Sequence, residues 1–150
     1  GNLTEVVVTL WYRAPELLLG SRNYGPAVDV WSVGCILGEL LLGRPLFPGK
    51  GEIDQMDRII SILGRPSPSI WPDLPNLPHA NKLPATGNQY NLLDRVFEGT
   101  SAFSVDLLDR LLTFDPEKRI TAEEALKHPF FSENPLPKDP SAFPTWPARK

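Results

Sequence analysis

The chain has 150 residues, 41% of them apolar, with 18 acidic and 15 basic side chains for a net charge of -3. That length suits one domain or part of one, with enough apolar residues to bury a core, and there is no basic excess to suggest nucleic acid as the main ligand. The single cysteine, Cys35, excludes an intrachain disulfide and fits a reducing compartment, cytosol or nucleus.

Residues 1–8 are β-branched and irregular and predict an extended segment, with neither the basic start nor the cleavage pattern of a secretory leader. Ala14–Leu19 can form a short helical turn, since proline is tolerated near a helix start, and Gly20–Gly25 is a loop. Pro26–Leu42 carries apolar residues on nearly every face, the pattern of a helix in the middle of a domain. It ends at Gly43-Arg44-Pro45. Asp29, Ser32, Gly34, Gly38 and Glu39 interrupt its apolar run, which is also shorter than the ~20 residues that span a bilayer. Gly51–Leu63 places Ile53, Met56, Ile59, Ile60 and Leu63 at amphipathic spacing, a surface helix stopped by Gly64.

The 17 prolines cluster at Pro66–Pro84 and after Pro135. Residues 65–92 therefore read as a long irregular insert, with Ile70, Trp71, Leu74 and Leu77 as hydrophobic anchors. Ser104–Phe114 is helical and is broken by Asp115-Pro116. Thr121-Ala-Glu-Glu124 is a capping box that opens a helix running to about Lys127 and stopped at Pro129. Beyond Phe131 the chain turns polar and proline-rich, as a tail lying along a surface. His79 and His128 have no partners at metal-ligand spacing and read as solvated or hydrogen-bonded, and Cys35 as an inert core thiol. There are no repeats and no strand pattern long enough for a sheet, so the fold class is mainly α.

Four stretches stand in a fixed order: TLWYRAPELLLG from Thr9, DVWSVGC from Asp29, PLFPG from Pro45 and DPEKRITAEEALKHPFF from Asp115. Together they resemble protein kinases of the cyclin-dependent group, from the activation segment, closed by Ala14-Pro15-Glu16, to the end of the domain. LFPGKGEIDQ and the tail PLPKDPSAFPTWP are similar to the PITSLRE subfamily in particular. The resemblance implies the C-terminal (large) lobe of the kinase fold, truncated. Residues 1–131 would be the partial domain, with the group's insert at about 65–92, and residues 132–150 a tail.

It also implies roles for individual residues. Glu16 and Arg119 would pair across the lobe, as a buried carboxylate needs a cation and an arginine fork suits it. Asp29, two residues before Trp31 in the same motif, would accept hydrogen bonds from the catalytic loop; as a helix N-cap it would serve a plainer purpose, and both can hold at once. Thr4, five residues before Thr9, stands at the spacing of the activating phosphothreonine, where a phosphate adds about -1.5 to -2 charge; the competing reading is an ordinary loop threonine. Val7, Val8 and Arg13 would read the substrate. Their pocket favours proline after the target Ser/Thr because proline has no amide proton to leave unsatisfied; the plainer alternative is a β-branched core segment with a surface arginine. Thr9 matches the threonine that hydrogen-bonds the catalytic aspartate and lysine, or is a turn hydroxyl. The insert docks a regulatory protein in some relatives or is a packed loop without a partner.

Phosphoryl transfer in this family needs a glycine-rich loop, a strand lysine, H-R-D and D-F-G. None is in this chain, so no catalytic and no metal-binding residue is assigned, and the chain alone is expected to be inactive. ATP and Mg2+ belong to the full domain, as does a cyclin, with Ser/Thr-Pro proteins as substrates and neither nucleic acid nor membrane as partner. A role in cell-cycle or transcription and splicing control, in nucleus or cytoplasm, is what the resemblance implies. Opening at Gly1, inside the activation segment, the chain reads as a piece of a longer protein. The alternative is a helical binding module, derived from a kinase, that kept the groove and lost catalysis. An unrelated all-α domain would fit the central helix but not the motif order. A face made to meet the other half would lack cover here and lower thermal stability or promote aggregation.

Overall fold

The computed structural model describes residues 9–133, which are helical and irregular, with no strand among them. The predicted extended segment at 1–8 and the tail beyond Glu133 lie outside the described residues. In chain order the α-helices are Pro15–Leu18, Pro26–Leu42, Glu52–Leu63, Leu93–Val96, Ala102–Leu111, Ala122–Leu126 and Phe130–Glu133. Two 3-10 turns, Leu74–Asn76 and Ala80–Lys82, lie in the proline-rich insert.

The helix Pro26–Leu42 is the organising element. Proline stands in its first turn, where a missing amide proton costs nothing, and Gly43 closes it at φ 82°, donating its N–H to Glu39 O at 2.8 Å. An L side chain rarely adopts that left-handed conformation, so glycine is the residue suited to this cap. The helix packs along Ala102–Leu111. Trp31, fully buried, stacks on Phe47 with centroids 6.1 Å apart and lies 6.3 Å from Phe114. Phe114 stacks in turn on Trp71 at 6.0 Å. This column of rings joins the central helix to the insert, each contact contributing ~0.5–1.5 kcal/mol beyond simple burial.

The composition of the central helix predicts enclosure all round, but among the described elements one face stays open. Val33, Ile36 and Leu40 are 53%, 43% and 48% exposed. Spaced by three and four residues, they form one uncovered stripe. The described elements pack against its other faces and leave this one open.

The surface helix Glu52–Leu63 also departs from its sequence pattern. Ile53 is 69% exposed, while Gln55 is 0% exposed. The inward face runs Gln55, Met56, Ile59, Ile60, Leu63, and the polar member is buried because its amide has work to do, as described below.

The insert is packed. Its ends are tied by Arg65 N–H donating to Asn88 O at 2.8 Å and Leu92 N–H donating to Ile62 O at 2.7 Å. Trp71 and Leu74 are buried and Leu77 is partly so, whereas Ile70 is exposed and anchors nothing. The helix expected over Ser104–Phe114 spans Ala102–Leu111, because Ser101 accepts the Ser104 N–H as an N-cap. The capping box is present in full: Thr121 Oγ1 accepts from Glu124 N–H at 3.1 Å, and Glu124 Oε1 accepts from Thr121 N–H at 3.0 Å. The chain does not stop being helical at Pro129; one further turn forms over Phe130–Glu133.

Cys35 is buried, and desolvation pushes its thiol far up, so it stays protonated and unreactive. His79 is exposed. His128 is buried and hydrogen-bonded at both ring nitrogens: the Phe130 N–H donates to Nδ1 at 2.9 Å, and Nε2 lies 2.6 Å from Asp106 Oδ2.

Candidate functional site: a cleft beside a buried ion pair

Glu16 and Arg119, 103 residues apart, meet in the interior. Arg119 Nη1 donates to Glu16 Oε2 at 2.8 Å and Nη2 to Oε1 at 2.9 Å, a two-pronged fork with side chains 0% and 5% exposed. The remaining guanidinium protons are also taken. Nε donates to Thr113 O at 2.8 Å, Nη1 to Ala27 O at 2.7 Å and Nη2 to Phe114 O at 3.0 Å. The guanidinium carbon lies 5.2 Å from the Trp31 ring centroid, a cation–π contact. A charge this deep is tolerable only with every donor satisfied, and here one arginine ties together the Glu16 turn, the start of the central helix and the end of the helix Ala102–Leu111.

That fork fixes the turn following residues 9–13, and four further contacts hold the segment itself. Trp11 Nε1 donates to Gly49 O at 2.8 Å, and Gln55 Nε2 donates to Trp11 O at 3.4 Å. Gln55 Oε1 accepts from Gly49 N–H at 2.9 Å, which explains its burial. Tyr12 Oη donates to Glu39 Oε1 at 2.6 Å, and Ser32 Oγ donates to Tyr12 O at 2.9 Å. The segment is thus clamped between the central and surface helices.

Above it opens a cleft of about 610 Å³, lined among others by Thr9, Tyr12, Arg13, Arg22, Tyr24 and Glu52. The structure brings Thr9 and Arg13 into this one cleft. Arg13 Nη1 donates to Glu52 Oε1 at 3.3 Å, an exposed pair. Thr4, Val7 and Val8 lie outside the described residues. Asp29 is exposed in the first turn of the central helix, whose cap residue is Gly25, so the plain capping reading of Asp29 does not hold. It stands four residues before Val33, at the head of the uncovered stripe.

The residues that sequence reasoning passed over are Trp11, Tyr12, Ser32, Gln55 and Arg22. Gln55 carried a signal, a polar residue at the inward phase of an amphipathic helix. Arg22 carried none, as it sits in a loop without periodicity.

Among the described residues no cluster of three His, Cys, Asp or Glu side chains could hold a metal ion, and no helix is long and apolar enough to cross a membrane. No chemical step is assigned to the described residues.

Residues 1–131 match the protein kinase domain. The chain is 55% identical over 147 residues to human cyclin-dependent kinase 11B, covering 97% of itself and 18% of that protein. It is 51% identical over 152 residues to the serine/threonine-protein kinase PITSLRE of Drosophila melanogaster, covering 97% of itself and 16% of the relative. Over 147 residues it is 50% identical to probable cyclin-dependent kinase 10 of Dictyostelium discoideum, covering 97% of itself and 40% of the relative. The chain thus spans well under half the length of these curated relatives. With the motif order matched along the sequence and the helices folded around the Glu16–Arg119 fork, the chain belongs to the protein kinase family, as a cyclin-dependent, PITSLRE-like member of which it carries the C-terminal lobe.

Proposed function

We propose that this chain forms the substrate-side part of a cyclin-dependent kinase that transfers phosphate from ATP to serine or threonine followed by proline. The observation that carries the reading is the clamped segment Thr9–Arg13, held against the cleft and followed directly by the buried Glu16–Arg119 fork. A floor fixed this firmly suits holding an extended peptide in one register, and phosphoryl transfer is largely a matter of positioning.

In this reading Val7, Val8 and Arg13 form the proline-accepting pocket, Thr9 meets the catalytic loop, and Thr4 accepts the activating phosphate. Asp29 anchors that loop, and the rest of the parent's catalytic domain covers Val33, Ile36 and Leu40. The parent supplies the ATP and Mg2+ sites and the main cyclin contact, so the chain alone is inactive. Nucleus and cytoplasm are the places where a cyclin partner and Ser/Thr-Pro proteins would be met, and the packed insert offers a surface to a regulatory protein.

The test is radiolabelled phosphate transfer by the parent protein, purified with its cyclin, to a Ser-Pro peptide and to its Ser-Ala counterpart. Transfer to the first and little to the second is the expected result. Peptide binding without transfer would identify a non-catalytic binding module instead, and equal transfer to both peptides would overturn the proline-directed assignment.

A further inference from the structure

Among the described residues, the charged groups lining the substrate cleft are Arg13, Arg22 and Glu52. Arg13 is paired with Glu52 at 3.3 Å, so the two largely cancel. Arg22 makes no ion pair and no hydrogen bond among the described residues and is exposed. Among the described residues that line it, the cleft therefore carries one uncompensated positive charge, on a chain whose net charge is -3.

The loop that presents Arg22 is pinned. Ser21 N–H donates to Glu16 O at 2.9 Å, tying the loop to the buried fork. Asn23 N–H donates to Ser21 Oγ at 3.2 Å, and Gly25 N–H donates to Asn23 Oδ1 at 3.1 Å. Ser21 and Asn23 thus spend their side chains on the backbone, a turn chemistry typical of these residues. Arg22 and Tyr24, the alternate positions, are left to the cleft, and Tyr24 is 74% exposed. A cation on a fixed loop, next to an aromatic ring and above a clamped floor, is a recognition element for an anionic side chain of an extended peptide.

We propose that Arg22 determines substrate specificity, selecting Ser/Thr-Pro segments that carry an acidic side chain, carboxylate or phosphorylated, near the acceptor residue. This rests on the cleft being the substrate site. The contact is at the surface, so a single carboxylate should improve kcat/KM only about three- to fivefold. A phosphoserine, with about -1.5 to -2 charge and a geometry matched to a guanidinium, should improve it more.

The experiment uses the full-length parent protein with its activating subunit. Ser-Pro peptides carry alanine, glutamate or phosphoserine at each flanking position in turn, and the readout is the ratio of kcat/KM for acidic over neutral peptide. Wild type should show a ratio above one at a defined position, Arg22→Ala a ratio near one, and Arg22→Glu a ratio below one. A gain from phosphoserine alone identifies a pre-phosphorylated substrate; a gain from both identifies a general acidic one. No acidic preference in wild type, or the same preference in all three proteins, overturns the proposal, even where the wild type still requires proline. Loss of the proline requirement in wild type instead counts against the underlying assignment of the cleft. Fluorescence anisotropy with labelled Ser-Pro peptides, with and without phosphoserine, gives the same ordering independent of turnover, and equal affinities for wild type and Arg22→Glu overturn it.

Discussion

Arg119 concentrates a large share of the stability in one side chain. Its guanidinium protons find oxygens on Glu16, Ala27, Thr113 and Phe114, and no water is needed. Lysine keeps the charge but not the planar fork, so Arg119→Lys leaves buried acceptors without partners and is expected to cost about 3 kcal/mol. Glu16→Ala strands the guanidinium charge and belongs in the same range, about 3–5 kcal/mol. Urea denaturation of the parent kinase measures both, and a loss below about 1 kcal/mol for Glu16→Ala would mean that the fork does not organise the lobe.

A second residue-scale prediction concerns pH. The His128 and Arg110 hydrogen bonds, in that order, hold the Asp106 carboxyl below its usual range. The Phe130 N–H points at His128 Nδ1, so the ring proton sits on Nε2 and is donated to Asp106. A depressed folded-state pKa means that the stabilisation is present above the ordinary carboxylate pKa and is lost as pH falls through the folded value. Asp106 is nearly half exposed, which screens the effect. Asp106→Asn should therefore cost under about 1 kcal/mol at neutral pH, with the gap to wild type closing in acid. Denaturation curves at pH 7 and pH 3 check this; a gap that widens in acid has the wrong sign.

At the scale of elements, the contact between the central helix and Ala102–Leu111 depends on a missing side chain. A Cβ on Gly34 would lie 2.7 Å from Leu112 Cδ2 and 2.9 Å from Leu111 Cβ. The first atom ends a flexible side chain and can swing away, but the second is one bond from the backbone and cannot. Gly34→Ala gains ~1 kcal/mol of helix propensity and loses ~1–3 kcal/mol to overpacking, so net destabilisation is expected. Gly38 offers the contrast: its Cβ would crowd only Leu46 Cδ2, at 2.9 Å, which can rotate. Gly38→Ala should therefore be close to neutral or stabilising. Thermal melts of the two variants decide the point, and equal shifts would show that close helix approach at Gly34 is not limiting.

The same element shows how far sequence pattern reaches. The ends of Pro26–Leu42 were legible from Pro26 and Gly43, and the helix Ala122–Leu126 from its capping box, because these signals act within one turn. The one-turn helices Leu93–Val96 and Phe130–Glu133 were not legible, since four residues are too few to display a period. Gln55 and Ile53 exchange the places their polarity suggests because Gln55 serves Gly49, just before its helix, and Trp11, which lies 44 residues away in sequence.

For the whole molecule, the open stripe of Val33, Ile36 and Leu40 is expected to set the behaviour of the isolated chain. Contiguous exposed apolar surface promotes association. Replacing the three by Ser, Gln and Gln is expected to reduce light scattering of the isolated chain without lowering its melting temperature, since none of them is buried within it. In the parent kinase the same triple change should abolish activity by spoiling the covering interface. A parent that stays active with the triple change would show that nothing essential packs on the stripe.

The sequence by itself determined the mainly helical class, the order of the longer helices, the Thr121 capping box and, through the spacing of its motifs, the kinase resemblance. These rest on local chemistry and on residues in fixed order along the chain. Only the tertiary structure decided which face of the central helix stays open, that Arg119 exhausts its donors on Glu16 and three carbonyls, that Trp11 and Gln55 clamp the cleft floor, and that Arg22 is left, among the described residues, as its unpaired cation. Those outcomes depend on contacts between residues tens of positions apart, where burial and donor satisfaction are settled by the packing of whole elements and leave no local periodicity to read.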